Sequence, residues 1–273
     1  MKRLLTAAVG VPLALAAIFL LPGWAFFLVC AAAMTGAAVE FARLARGAAP
    51  HAPWWALPLL VAPAAAMLAW GLTDGVAVDG YWALGFATAT TVGLGVLVLL
   101  ARTPVAEALV GLGGLAFGVS YFAAPTAALY RIQQHDPWIL FLLLAIVWLG
   151  DTAAYYIGTR FGRHRLAPVV SPKKSWEGAL AGLAVSIASV AAWSLWRLER
   201  LDLLLLAIGA ATALASQLGD LVQSLLKRAA HVKDSGGLLP GHGGLWDRMD
   251  AMLFAAPVLL VLLELAGGRG VVR

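Results

Sequence analysis

Three carboxylates stand in or at the edge of long apolar runs, where an ionisable side chain is expensive and is by default a functional candidate. Asp151 follows Trp148-Leu149-Gly150, Asp220 closes Ser216-Gln217-Leu218-Gly219-Asp220, and Asp250 opens the last apolar run. Helical spacing puts Asp220, Ser224 and Lys227 at i, i+4 and i+7, so one stripe offers a carboxylate, a hydroxyl and a cation, with Arg228 next in sequence. An intrahelical ion pair at the membrane edge would account for the stripe alone. The segment just downstream weighs against so plain a reading. From Lys233 to Asp250 the sequence runs Lys-Asp-Ser-Gly-Gly-Leu-Leu-Pro-Gly-His-Gly-Gly-Leu-Trp-Asp-Arg-Met-Asp. Glycines at 236, 237, 241, 243 and 244 free the backbone to turn amide N–H groups toward an anion, and Lys233, His242 and Arg248 add donors. Asp247 and Asp250, three apart at a helix start, can face the same way and suit a hard divalent cation.

A second basic segment, Ser171-Pro172-Lys173-Lys174-Ser175-Trp176-Glu177-Gly178, puts paired lysines just ahead of a helix whose N-cap is Ser175. The amino end of that helix adds its own attraction for phosphate. Lys173 and Lys174 would also serve as topology determinants, but that role does not require the Ser-Pro and Ser-Trp-Glu-Gly frame. Cations, a donor-rich loop and acid pairs together suit phosphoryl or nucleotidyl transfer, in which positioning and charge neutralisation provide most of the catalysis. No Ser/His/Asp triad order or Cys/His zinc spacing is readable, and Cys30 sits alone in an apolar stretch.

These residues need a scaffold, and composition says which kind. Of 273 residues 62% are hydrophobic and 12% charged, against about 25% charged in an ordinary soluble domain. A bilayer core of roughly 30 Å asks for about 20 apolar residues per helix. Nine candidate spans meet the pattern, at 4–21, 24–45, 54–72, 81–101, 105–130, 138–159, 176–196, 202–226 and 249–266. The expected fold is all-α and polytopic, with about nine transmembrane helices in a single integral membrane domain, 1–273. The basic start of the chain resembles a signal peptide, but no polar mature domain comes after it, so it is read as a retained span. The first five spans are nearly free of ionisable groups in their interiors. They are read as scaffold and lipid-facing surface (1–135), with the catalytic spans and loops in 136–273.

Cytoplasmic loops carry the Lys/Arg excess. With the amino end inside, fourteen of the cations face inward and five, Arg131, Arg197, Arg200, Arg269 and Arg273, face outward. This places both long polar loops, 160–175 and 227–248, on the cytosolic side and the carboxyl end outside. The net charge of +5 is distributed in short breaks between spans and not along one soluble face, which argues against a nucleic-acid partner.

The run Ser224-Leu-Leu-Lys227-Arg228, four residues, Lys233-Asp234-Ser-Gly236, then Leu239-Pro240-Gly-His242-Gly243-Gly244-Leu-Trp-Asp247-Arg248-Met-Asp250 closely resembles the signature of the phosphatidate cytidylyltransferases. A second stretch is similar to the same family: Gly150-Asp151-Thr152-Ala-Ala-Tyr155, then Gly158, Arg160-Phe161-Gly162, and Ser171 to Gly178. The resemblance implies a Mg2+-dependent transferase, with a second cation, divalent or K+, as an option, that joins CTP to phosphatidate and releases pyrophosphate. It implies Asp220 and Asp247 as metal ligands, with Asp250 and Asp151 as close candidates for a second ion or for orienting basic groups. Lys227 and Arg228 assist at the reacting phosphates. Lys173, Lys174, Lys233 and His242 are assigned to the triphosphate, with Ser175 and Ser224 as hydrogen-bond donors. The setting it implies is a bacterial cytoplasmic membrane. A packed small-residue bundle is compatible with a homodimer.

Two rivals frame the expectation. A transporter also uses intramembrane acids and a glycine-rich segment, but here the charged groups gather at one face. A CTP-using lipid kinase would leave CDP in place of pyrophosphate.

Overall fold

The computed structural model describes residues 2–71, 80–236 and 243–267, with side chains from residue 10 onward apart from 71 and 80–84. Among the described residues the apolar runs form nine helices: α1 (Lys2–Leu20), α2 (Gly23–Ala45), α3 (Ala56–Gly71), α4 (Gly80–Leu100), α5 (Val105–His135), α6 (Pro137–Phe161), α7 (Trp176–Leu198), α8 (Leu203–Ala229) and α9 (Trp246–Ala266). Six of them, α2 and α5 to α9, are long and apolar enough to cross a bilayer. The described apolar parts of the others are shorter, Gly10–Leu20, Ala56–Trp70 and Gly85–Leu100. The chain is thus an all-α integral membrane protein with six helices that meet the spanning criterion, where the hydropathy pattern alone predicts nine. Pro12, Pro63, Pro125 and Pro257 lie inside helices, as membrane helices tolerate when neighbouring groups satisfy the freed carbonyls.

One element is not helical. The segment expected to be a polar loop at 160–175 contains strands β1 (Arg165–Ala167) and β2 (Ser171–Ser175), paired antiparallel with Arg165 opposite Ser175 and Ala167 opposite Ser171. Pro172 fixes φ and biases the residue before it toward extended backbone, which suits a strand and opposes an early start to α7. A register irregularity between Arg165 and Ala167 accommodates the short turn.

Helix ends obey local chemistry. Asp136 caps α6 by accepting from Trp138 N at 2.9 Å, with Pro137 in the first helical position. Ser175 caps α7 by accepting from Gly178 N at 3.2 Å. Asp202 takes the amides of Leu204 and Leu205 at 3.0 and 3.1 Å at the start of α8. Glu199, at φ 55°, provides the left-handed stop after α7.

The described chain groups into two compact units, each made of separated segments. The first comprises residues 1–13, 21–131 and 229–249. Its aromatic core centres on Phe41, whose ring meets Trp246 at 5.4 Å, Phe122 at 5.8 Å and Trp54 at 6.4 Å between centroids. Trp54 is buried and its indole N–H donates to Ala49 O at 2.8 Å. The second unit comprises 14–20, 132–228 and 250–273. In it α6 and α7 pack closely: a Cβ on Gly178 would stand 2.7 Å from Ala154 O and 3.0 Å from Gly158 Cα, so only glycine permits this approach. Ser186 Oγ donates to Ile146 O at 2.8 Å, and Gln217 Nε2 on α8 donates to Ala179 O at 3.0 Å, joining α6, α7 and α8 by polar contacts in an otherwise apolar bundle.

Candidate active site

The close approach of α6 and α7 leaves a cavity of about 360 Å³ in the second unit. Asp151, Tyr155 and Thr159 line it from α6, Lys173, Lys174 and Ser175 from β2, and Gln217 and Asp220 from α8. Its wall is mostly apolar carbon, with charged groups at a few points, as small-molecule sites commonly are. The β-hairpin is what brings the lysines there. Glu177, in the first turn of α7, accepts from the amides of Arg163 and His164 at 3.1 and 3.2 Å and from His164 Nδ1 at 2.6 Å, fixing the chain that leads into β1. Trp176 N donates to His164 O at 3.0 Å, closing the base of the hairpin.

Lys174 Nζ lies 2.5 Å from Asp220 Oδ2, with the two side chains about equally exposed at 28% and 30%. Asp220 is close enough for its charge to act on both Asp151 and Asp250. Lys174 offsets part of that charge at Asp151, and Lys227 part at Asp250. Three carboxylates from α6, α8 and α9 therefore share one electrostatic neighbourhood with two lysines. Like charges at such range repel, and a bound cation is the ordinary way to hold them together.

Among the described residues no three acidic, histidine or cysteine side chains are arranged as a complete metal cage. Mg2+ does not require one: it commonly binds one or two carboxylates and completes its octahedron with water and substrate phosphate. Asp220 with Asp250 or Asp151 fits that donor set.

The glycine-rich loop belongs to the first unit. Asp247 Oδ2 accepts from Ser235 N at 2.8 Å, Ser235 Oγ at 3.0 Å and Gly244 N at 3.0 Å. Gly243 has φ +76°, and a Cβ there would come within 2.7 Å of Asp247 Oδ2, so this turn requires glycine. Glu40, buried at 4% exposure on α2, takes Leu245 N at 2.9 Å, Trp246 N at 3.0 Å and, at 2.7 Å, the Ser235 hydroxyl, whose single proton it shares with Asp247. The amides of Gly244, Leu245 and Trp246 are thus engaged by the protein's own carboxylates.

The structure brings together Asp151, Lys173, Lys174, Ser175 and Asp220 around the cavity, and sets Asp250 and Lys227 within reach of the same charges. Ser224 and Arg228 lie further along α8, and Arg228 Nε approaches Val170 O beside the hairpin at 3.5 Å. Asp247, Gly243, Gly244, Arg248 and Lys233 belong to the first unit, with Lys233 and Arg248 exposed. His242 lies outside the described residues, as do Gly237 and Gly241. Of the polar residues in these networks, Glu177, Gln217 and Ser235 stand inside the quoted motifs without a role of their own, and Glu40 stands outside them. Glu40 does carry a signal, a lone acid in the apolar run Ala37-Ala38-Val39-Glu40-Phe41, an exception within spans otherwise nearly free of ionisable groups.

Known proteins resemble the chain along its whole length. A family model described as the Cytidylyltransferase family matches residues 1–266. A Pseudomonas aeruginosa protein named phosphatidate cytidylyltransferase is 38% identical over 288 residues, covering 97% of each chain. Proteins of the same name from Staphylococcus aureus strain COL and Staphylococcus saprophyticus are 45% and 39% identical over 146 residues, about half of each chain. With a whole-chain match of that kind and a cavity lined by lysines and carboxylates, the chain belongs to the cytidylyltransferase family.

Proposed function

We infer that the chain transfers the cytidylyl group of CTP to phosphatidate, forming CDP-diacylglycerol and pyrophosphate for phospholipid synthesis. The observation that carries this reading is the cavity in which Lys174, paired with Asp220, meets Lys173 and Asp151. A phosphate oxygen of phosphatidate attacks the α-phosphorus of CTP, the bond from that phosphorus to the bridging oxygen breaks, and pyrophosphate leaves. A phosphate monoester has its second pKa near 6, so the nucleophile is largely ionised at pH 7 and needs no strong base. The harder task is to bring two polyanions together: unit charges 4 Å apart repel by about 4 kcal/mol at an effective dielectric of 20. Lys173 and Lys174, which line the cavity, are proposed to offset that repulsion along the triphosphate, with Lys227 and Arg228 assigned to the reacting phosphates. Ser175 and Ser224 supply hydrogen bonds, and Lys233, His242, Gly243, Gly244 and Arg248 are assigned to nucleotide binding.

Asp220 and Asp250 are proposed to hold Mg2+, with Asp151 as an alternative ligand or the partner of a second cation, divalent or K+. Bound there, a divalent ion would neutralise charge on the phosphoryl oxygens. The assignment of Asp247 as a ligand rests on sequence, and its Oδ2 already accepts from the amides of Ser235 and Gly244 and shares the Ser235 hydroxyl proton with Glu40. Removing divalent ions with EDTA is expected to stop product formation completely, and added Mg2+ to restore it. Full activity in EDTA would remove the metal from the account.

All nine helices are proposed to cross or enter the bilayer, with the amino end and the site cytosolic and the carboxyl end outside, as the fourteen-to-five cation count favours. Residues 136–273 then carry most of the chemistry, in a bacterial cytoplasmic membrane, and the helices bearing small residues suit a homodimer. Labelled CTP tests the reaction class. Label from the α-phosphate should pass into lipid while label from the γ-phosphate leaves as pyrophosphate; γ-label in the lipid would identify a kinase.

A further inference from the structure

Glu40 is a buried carboxylate in a membrane helix to which the proposed transfer step gives no role. Its two oxygens divide the work. Oε1 accepts from Leu245 N, while Oε2 accepts from Ser235 Oγ and Trp246 N. Ser235 lies on one arm of the glycine-rich loop and Leu245-Trp246 on the other, so a single carboxylate joins both arms. Trp246 is the first residue of α9, whose opening amides have no carbonyl partner within the helix. A negative charge at that end is also favoured by the helix dipole. The fit is close: a Cβ on Gly236 would stand 2.8 Å from Glu40 Oε1. Ser235 passes the contact on, because its hydroxyl and amide also meet Asp247 Oδ2, which in turn holds Gly244 N.

We propose that Glu40 is a positioning residue for the nucleotide-binding loop, a clamp from α2 that sets the spacing of the loop's two arms and the start of α9. The proposal rests on the cytidylyl-transfer reading for what the loop binds, and on geometry alone for the clamp. Glu40 touches no substrate in this role. Its effect reaches the reaction through Ser235, Gly244 and Asp247, whose positions it fixes before CTP arrives, as preorganised sites require. All three partners of Glu40 are donors. Glutamine keeps the size but offers one acceptor and one donor, so whichever way it turns either Leu245 N or Trp246 N loses its acceptor.

Glu40→Gln is therefore expected to raise amide hydrogen exchange in 243–249 by about tenfold or more, the order expected when a hydrogen bond to a charged group is lost. Exchange in 139–147 of α6 stays unchanged. In the same preparation KM for CTP rises by about tenfold or more while KM for phosphatidate stays within about threefold. A residue that merely kept the protein folded would reduce the amount of active enzyme and leave both KM values unchanged. Ser235→Ala keeps the carboxylate and its two amide partners, and should shift exchange and the CTP KM in the same direction by less. It also carries the test if Glu40→Gln does not insert. Wild-type exchange in 243–249 in whichever variants fold, or an unchanged CTP KM in them, overturns the clamp. Wild-type protein that forms no CDP-diacylglycerol overturns the proposed reaction instead, and the exchange measurement still decides the clamp.

Discussion

Asp220→Asn is expected to lower kcat for cytidylyl transfer by about 10³-fold or more while the protein stays folded and inserted in the membrane. The substitution keeps shape and removes one charge from a set in which Asp220 acts on Asp151 and Asp250 and pairs with Lys174 at 2.5 Å. Loss of a single preorganised electrostatic group typically costs about 10²- to 10³-fold in kcat. Here one carboxylate serves both as proposed metal ligand and as the partner that holds Lys174, so the effect sits at or above the upper end. Stability should change less than activity, because asparagine keeps the shape of the side chain and both members of the pair, at 28% and 30% exposure, keep contact with solvent. Turnover within tenfold of wild type would take Asp220 out of the site. Loss of folded protein in proportion to activity would make it a structural ion pair.

Lys174→Ala should lower kcat/KM for CTP by about 10²-fold, with Lys174→Arg recovering part of the loss. Recovery is incomplete because the planar guanidinium cannot place its charge where a compact ammonium does. The neighbouring Lys173 lines the same cavity and its alanine variant should cost less, since the salt bridge to Asp220 is made by Lys174. Combining Lys174→Ala with Asp220→Asn should fall short of the product of the single effects, because residues in contact within one network are not independent. If Lys174 only directs topology, its removal would instead change the fraction of correctly oriented protein and leave the kinetic constants of the active fraction intact.

The apolar runs make most of the helices legible, because a bilayer asks each span for a long apolar stretch of about 20 residues. Ser175 is visible as a cap for the same reason that soluble helices show them, a side-chain oxygen just ahead of a helix with free amides, and Asp136 repeats the pattern at α6. The hairpin at 165–175 is not legible, since three- and five-residue strands carry too little alternation to stand out among basic residues. Lys174 and Asp220 can be expected on one membrane face, but not to meet, because 46 positions separate them in sequence and only the packing of α6, α7 and α8 brings them together. Glu40 is the instructive omission. A broad reading of 1–135 as scaffold hides a single acid whose partners lie about 200 residues later, at separations of 195, 205 and 206. The glycine loop reads as a cradle for phosphate, and what the sequence does not show is that the amides of Gly244, Leu245 and Trp246 donate to the carboxylates of Asp247 and Glu40.

If the proposed reaction is right, CTP occupies the cavity between α6, β2 and α8 from the cytosolic side. Thr159 lines that cavity, and Cys30, the chain's single cysteine, is buried, so Thr159→Cys gives one accessible thiol at the site. The rate of its modification by a membrane-impermeant thiol reagent, in vesicles of either orientation, is the direct measurement. Modification should occur when the cytosolic face is exposed to reagent and slow by about tenfold or more with saturating CTP and Mg2+, the order expected for a site shielded at least about 90% of the time. An equal rate with and without CTP, or reaction from the outer face, would contradict it.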